Sequence, residues 1–443
     1  MPFVIQKPNK KIAPAYSRLM FVFGENPTTI SSAYYYRYVV RCEVRELFYA
    51  ESTDTFLSIN EHQIDFKIAP NREKKGVVDI SKVIKDYVTT DIQSGNDGYA
   101  IHNVRGIKFN VNSLIRVKVF LSSELTTSSL GTIVGGAASI NEGNLIETYL
   151  IFNGCQQDKD GLEFDLSKYT LNGSGNFLTC FDHTIERKVR LTDYGNVSFL
   201  NGTLNHPDGS TDLITVYGIT IKFYEDDDTL ISSNALNSDA GLVSNSQTDG
   251  ILFAGVAPKN LTDNGITIPT NTAYYTIYAG NQMIGGNPPV SRTYTYRIVG
   301  EDCKGHETIR LAFLNRVGGY DYYNFNKRST RATNIGKEMF KKNTGSWQND
   351  DFSYNTFEHQ NTTLNVQAIE TIEANTEYIT EAEAEGLEEL FTSPRVLMLD
   401  DTGEWHPVNV AENSYTKQRN VSDKLIQYII SVEKSIAKRI QTN

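Results

Sequence analysis

Phe313-Leu314-Asn315-Arg316-Val317-Gly318-Gly319-Tyr320-Asp321-Tyr322-Tyr323-Asn324-Phe325 reads as a strand, a glycine turn and a second strand loaded with aromatic side chains. Paired glycines at 318 and 319 supply the positive φ that a tight hairpin turn needs. Phe313 stands on one flank, and Tyr320, Tyr322, Tyr323 and Phe325 on the other. Large rings at strand positions predict a buried β-hairpin. Phe313, Asn315, Arg316, Gly318, Gly319, Tyr320, Asp321 and Phe325 are therefore taken as a structural motif, with no catalytic role.

Upstream of the hairpin the period is again two. Tyr217, Ile219, Ile221 and Phe223 share one face, and Leu252 to Val256, Tyr274 to Tyr278, and Tyr294, Tyr296 and Ile298 are further strands. Turn signals separate them: Asn201-Gly202, Pro207-Asp208-Gly209, Asn264-Gly265 and Asn287-Pro288-Pro289. Short strands at this spacing predict a second β-sandwich-like or jelly-roll-like domain over 146–300. Residues 1–125 form a first such domain. Tyr36, Tyr38, Val40, Cys42 and Val44 alternate with charged neighbours, and Phe109, Val111, Ile115, Val117, Val119 and Leu121 do the same. Between them Ile80, Val83, Ile84, Tyr87 and Val88 fall at helical spacing, with Asp79 placed to cap the first turn. A turn is expected at Gly95 to Gly98, and 126–145, without charge pattern or period, reads as a linker or long loop.

Downstream, 301–443 reads as a small α+β unit. Thr380-Glu381-Ala382-Glu383 is a capping box that starts a helix with Leu387, Leu390 and Phe391 on one face, ending before Pro394. Strands follow at Arg395 to Leu399 and at Ile426, Tyr428, Ile430 and Val432, with a turn at Asp400 to Gly403. The fold expected is mainly β: two sandwich-like domains, then an α+β C-terminal domain.

Composition agrees. The 443 residues include 25 Tyr and 21 Phe, too many rings for a disordered chain, while 39% hydrophobic and 21% charged residues leave room for Asn, Thr, Ser and Gly. The net charge of −11 and the absence of long basic runs exclude a general nucleic-acid binder. Cys42, Cys155, Cys180 and Cys303 are widely spaced with no C-x-x-C pair, which predicts free core thiols in a reducing cytoplasm. The N-terminal segment lacks the apolar stretch of a secretory signal, and no run suffices for a membrane helix, so no membrane partner is expected.

Chemistry is not assembled by spacing. His306-Glu307 begins a zinc-protease helix motif, but Arg310 stands where the second histidine belongs. Gly173-Ser174-Gly175 is a turn without the context of a nucleophile elbow, and the glycines at 131, 135 and 136 lack the nucleotide-loop fingerprint. Glu225-Asp226-Asp227-Asp228 clusters carboxylates but lacks the alternation and glycine of a calcium loop, so it reads as a solvated hairpin tip. Tyr34 to Tyr36, Tyr320 to Tyr323, Trp347 and Trp405 have the chemistry to stack on sugars, yet strand cores and subunit interfaces are their commoner use. No catalytic, metal or cofactor-binding set results, and no enzyme is expected.

A longer pattern carries a resemblance. Phe66-Lys67-Ile68-Ala69-Pro70-Asn71-Arg72 precedes Gly76-Val77-Val78-Asp79-Ile80, and Cys303 precedes Leu311 to Asp321 and Phe325. Pro407-Val408-Asn409-Val410 and Lys424-Leu425-Ile426-Gln427-Tyr428 follow, with a strand ending near Gln441. This order resembles virion structural proteins of tailed phages that infect Bacteroidetes, crAss-like phages among them. It spans most of 1–125 and 301–443 and covers the middle block loosely. The resemblance implies a subunit of a tail, neck ring or baseplate, made in the host bacterial cytoplasm and held in the virion. It implies a ring-like homo-oligomer in contact with other tail or neck proteins, with an acidic lumen through which DNA passes without specific binding. A β-rich carbohydrate-binding module at the tail tip is the alternative.

Overall fold

The computed structural model describes residues 2–25, 35–50, 55–90, 101–109, 113–126, 133–136, 142–161, 164–201, 216, 218–237, 250–280, 289–300, 305–346, 351–411 and 426–442. The architecture is mainly β. The chain divides into two compact units: Met1–Val299 with Leu314–Asp321, and Gly300–Phe313 with Tyr322–Asn443.

The first unit holds two cores. One lies between a three-stranded sheet, ordered Pro2–Gln6, Met20–Glu25, Gly76–Asp79, and a larger sheet whose long strands are Tyr35–Ala50, Thr55–Ile68, Leu114–Thr126 and Leu145–Cys155. Its alternating residues do what the sequence demands. Tyr38, Val40, Cys42 and Val44 meet Ile115, Val117 and Val119 on one buried face, and Phe21 and Phe23 close it from the smaller sheet. Ile80, Ile84 and Val88 complete the core. The expected helix is short: Ser81–Ile84 is α-helical, and Lys85–Tyr87 tightens to a 3-10 turn. The N-cap is Ile80, which makes no side-chain capping bond; Asp79 sits one residue earlier, its Oδ1 accepting from the Ser81 N–H at 3.1 Å and the Ser81 hydroxyl at 2.7 Å.

The second core joins a five-stranded sheet, ordered Arg187–Val189, Tyr294–Ile298, Tyr274–Gly280, Gly218–Tyr224, Leu230–Asn237, to a three-stranded one. Ile219, Ile221 and Phe223 are fully buried against Phe199, Leu252 and Tyr275. Val111 and Tyr217 lie outside the described residues.

Three boundaries differ from the sequence expectation. Ile107–Phe109, placed with the first block, pairs with Gly250–Gly255 in the second core, and the buried amide of Asn260 holds it there by donating to the His102 and Val104 carbonyls, each at 3.0 Å. The strand Leu114–Thr126 starts afresh after it, so Phe109 and Ile115 do not share a face. Leu145–Cys155, placed with the second block, runs antiparallel to Leu114–Thr126 in the first sheet. On its other side it pairs in parallel with the edge strand Ile12–Tyr16, where Pro14 is tolerated because a ladder bond is dispensable at an edge. Within the expected linker, Ile133–Gly136 forms a strand against Glu124 to Thr126. The turns expected at 95–98, 202–209 and 287–288 lie outside the described residues.

Among the described residues the second unit is built on one sheet, ordered Tyr320–Phe325, Ile309–Leu314, Val396–Leu399, Trp405–Val410, Ile429–Lys434, Asn361–Asn375, Thr330–Lys341, with Arg439–Thr442 also pairing with Asn361–Asn375; the tip of its first hairpin, Leu314–Asp321, is counted with the first unit. The helix Glu381–Thr392 buries Ala384, Leu387 and Leu390. The capping box forms: Thr380 Oγ1 accepts from the Glu383 N–H at 3.3 Å, and Glu383 accepts from the Thr380 N–H at 2.9 Å. Ile426 bridges to Ile379, and the regular strand begins at Ile429. Among the described residues no helix is long and apolar enough to cross a membrane.

Candidate functional site

The hairpin of Ile309–Leu314 and Tyr320–Phe325 is joined by five residues, Asn315 to Gly319, and not by a bare Gly-Gly turn. Asn315 builds this loop. Its Oδ1 accepts from the N–H groups of Val317 at 3.1 Å and Gly319 at 3.0 Å. Its Nδ2 donates to the Leu178 carbonyl at 3.0 Å and to Asp321 at 2.7 Å. The two glycines answer different demands. Gly318 has φ of +83°, which favours glycine. Gly319 has no such φ, but a Cβ there would meet the Leu178 carbonyl and come within 2.7 Å of Ser198 Oγ.

The remaining motif residues are also engaged. The Asp321 carboxylate accepts from Thr179 Oγ1, from the Cys180 N–H at 2.9 Å and from Asn315. Arg316 grips both oxygens of Asp160 at 2.7 and 2.9 Å, while its carbonyl accepts from the Cys155 N–H at 2.9 Å. Phe313, Tyr320 and Phe325 are buried, and the ring of His102 meets that of Tyr320 edge-on at 4.6 Å. Arg187 shares Thr179 with Asp321. It donates to Tyr296 Oη and Thr179 Oγ1, each at 2.8 Å, and lies over the rings of Tyr294 and Tyr296. The Asn315 amide and the Asp321 carboxylate thus have the partners that their desolvation requires.

Other candidates resolve similarly. In the 225–228 turn Asp228 adopts φ of +67° and accepts from Tyr274 at 2.5 Å, Asp226 pairs with Arg297 at 3.0 Å, and Glu225 accepts from Asn271. Asp400, Glu404 and His406 place three donor atoms within 4.8 Å of one another. Asp400 already closes the turn, accepting from Thr402 N–H at 2.9 Å and Glu404 N–H at 2.8 Å and meeting His406 Nε2 at 2.8 Å. Burial alone would raise the Asp400 pKa, but the Thr402 hydroxyl, donating at 2.7 Å, together with these hydrogen bonds holds it well below the usual carboxylate range. Cys42, Cys155 and Cys180 are free thiols. Trp405 packs against Tyr322 with ring centres 5.9 Å apart. Tyr34, Cys303 and Trp347 lie outside the described residues.

What the sequence pattern did not mark is an exposed edge strand. Thr330–Lys341 runs antiparallel to Asn361–Asn375, from Thr330 opposite Glu373 to Lys341 opposite Asn361. All of Thr330–Lys341 is exposed, including Ile335 at 61%, Met339 at 60% and Phe340 at 42%. It is the last strand of the sheet, and among the described residues nothing pairs with its outer edge. Beyond it Ser346 and Ser353 form a further bridge, and Phe352, Tyr354 and Phe357 stand exposed at 56%, 64% and 78%. At its root Arg331 meets Glu307 and, at 3.2 Å, Glu370, which Lys434 also reaches at 2.8 Å. Twelve residues of strand span about 40 Å. With its partner strand Thr330–Lys341 forms a ribbon at the edge of the sheet whose outer strand is wet on both faces, and a long open edge is a template for association.

No protein-family model matches the chain, and no curated protein matches it. Among solved structures, trypsin-activated alpha-2-macroglobulin from Escherichia coli is 9% identical over 100% of this chain and 36% of that one, with a TM-score of 0.16. Salmonella alpha-2-macroglobulin reacted with methylamine is 8% identical over 96% of this chain and 28% of that one, with a TM-score of 0.14. Likenesses at this level carry no argument about fold or function.

Proposed function

We propose that this chain is a structural subunit of a tailed-phage virion, part of a tail, neck ring or baseplate, which works by associating with copies of itself and with neighbouring proteins. The observation that carries this reading is the exposed edge strand Thr330–Lys341, whose apolar Ile335, Met339 and Phe340 and open edge suit coverage by another chain. The motif resemblance of Leu311 to Asp321 and the mainly β architecture support it. The hydrogen-bonded cluster around Asn315 and Asp321 suits a subunit under load, because a satisfied buried polar network stiffens the chain around it. Mass spectrometry of purified particles tests the reading. Peptides of this chain are expected in stoichiometric amounts with other tail proteins, and a chain confined to the lysate refutes it.

A second reading rests on the exposed aromatics Phe352, Tyr354 and Phe357, which have the rigid ring surface that sugars stack on. In that case the chain is a host-recognition module at a tail tip. A glycan array distinguishes it: saturable binding lost in a Tyr354→Ala/Phe357→Ala variant supports the second reading, and no binding removes it.

A further inference from the structure

The ribbon's charge points to what covers it. Between 330 and 342 stand four cations, Arg331, Lys337, Lys341 and Lys342, against one acid, Glu338, in a chain whose net charge is −11. Arg331 is held at the root by Glu307 and Glu370. Lys337 and Lys341 are exposed and, among the described residues, form no ion pair. With Ile335 and Met339 they lie on one face of the strand, because alternate residues share a face.

The same unit carries the opposite surface. In the helix Glu381–Thr392 the exposed Glu381 and Glu385 lie one turn apart, opposite the buried Leu387 and Leu390, the half-buried Glu388 and Glu389 follow at i+7 and i+8, and the helix contains no cation. Lys337 and Lys341 are about 13 Å apart along a strand, and the glutamates from Glu381 to Glu389 run about 12 Å along the helix, with Glu381 and Glu385 its exposed first half.

We infer that the 335–341 face of one copy docks on the glutamate face of Glu381–Thr392 in a second copy of this chain. The inference rests on the assembly reading and names its partner surface. The contact is heterologous, because the two patches differ, so it closes into a ring or extends as a filament. Complementary charge steers such an encounter and makes it sensitive to salt.

Light scattering and analytical ultracentrifugation of the full chain test the inference. Wild type is expected as a multimer that dissociates as salt rises. Lys337→Glu/Lys341→Glu is expected to weaken association at least tenfold, as is Glu381→Lys/Glu385→Lys, while an equimolar mixture of the two variants associates again. All four positions are exposed, so unchanged far-ultraviolet circular dichroism and thermal midpoint are the check on folding. A monomeric wild type, variants that associate as tightly as wild type, or a mixture that stays dissociated overturns the inference. Duplex DNA binding by the ribbon without multimers overturns it also. Peptides of the chain in particles, together with a monomeric wild type, would sink this contact and leave the virion reading standing. A ribbon-dependent multimer missing from particles would do the reverse.

Discussion

Asn315 supplies both halves of its amide to the loop it builds, and Asp321 collects donors from Thr179, Cys180 and Asn315 in the same buried cluster of polar groups. Removing that amide leaves the Val317 and Gly319 N–H groups without their acceptor in a buried site. Asn315→Ala is therefore expected to cost about 3 kcal/mol in urea denaturation. Gly319→Ala drives a methyl into Ser198 and the Leu178 carbonyl and is expected to cost about 2 kcal/mol. Gly300→Ala, with nothing within 4 Å of its Cβ, is the control and is expected to change stability by under about 0.5 kcal/mol. The sequence announced a turn through its glycine doublet. It did not show that one glycine serves φ and the other serves space, because the space is set by Leu178 and Ser198 from far along the chain.

At the scale of elements, the root of the ribbon is an ionic junction. The hydrogen bond from Lys434, opposed by burial and joined by Arg331, holds Glu370 below the usual carboxylate range. A carboxylate whose pKa falls on folding adds stability above its unfolded value, about 4.3, and loses it as pH falls through the lower folded value. Amide hydrogen exchange along residues 330–332 is expected to quicken in acid relative to other strands, and Glu370→Gln to flatten that dependence. Exchange that ignores both changes would remove Glu370 as the anchor. Legibility at this scale followed burial. Strands with one dry face, such as residues 38–44 and 219–223, carry the alternation from which they were read. Thr330–Lys341 has no dry face, so its side chains carry no period of two, and it stayed invisible to pattern. The capping box at Thr380 was legible because its chemistry is local. The parallel pairing of Leu145–Cys155 with Ile12–Tyr16 was not, because partner choice between strands far apart in sequence leaves no local mark.

For the whole molecule, the first unit is built on two β cores and the second on one sheet, with an ordered polar cluster where the sequence motif lies. The exposed edge strand is the feature that a solitary chain has least use for. Electron microscopy of intact particles tests the central claim most directly. The account predicts repeated density in the tail, neck or baseplate into which each unit fits, with Thr330–Lys341 covered by a neighbouring chain. Particles whose tail density is complete without this chain, or a chain bound there singly with that strand bare, would contradict it.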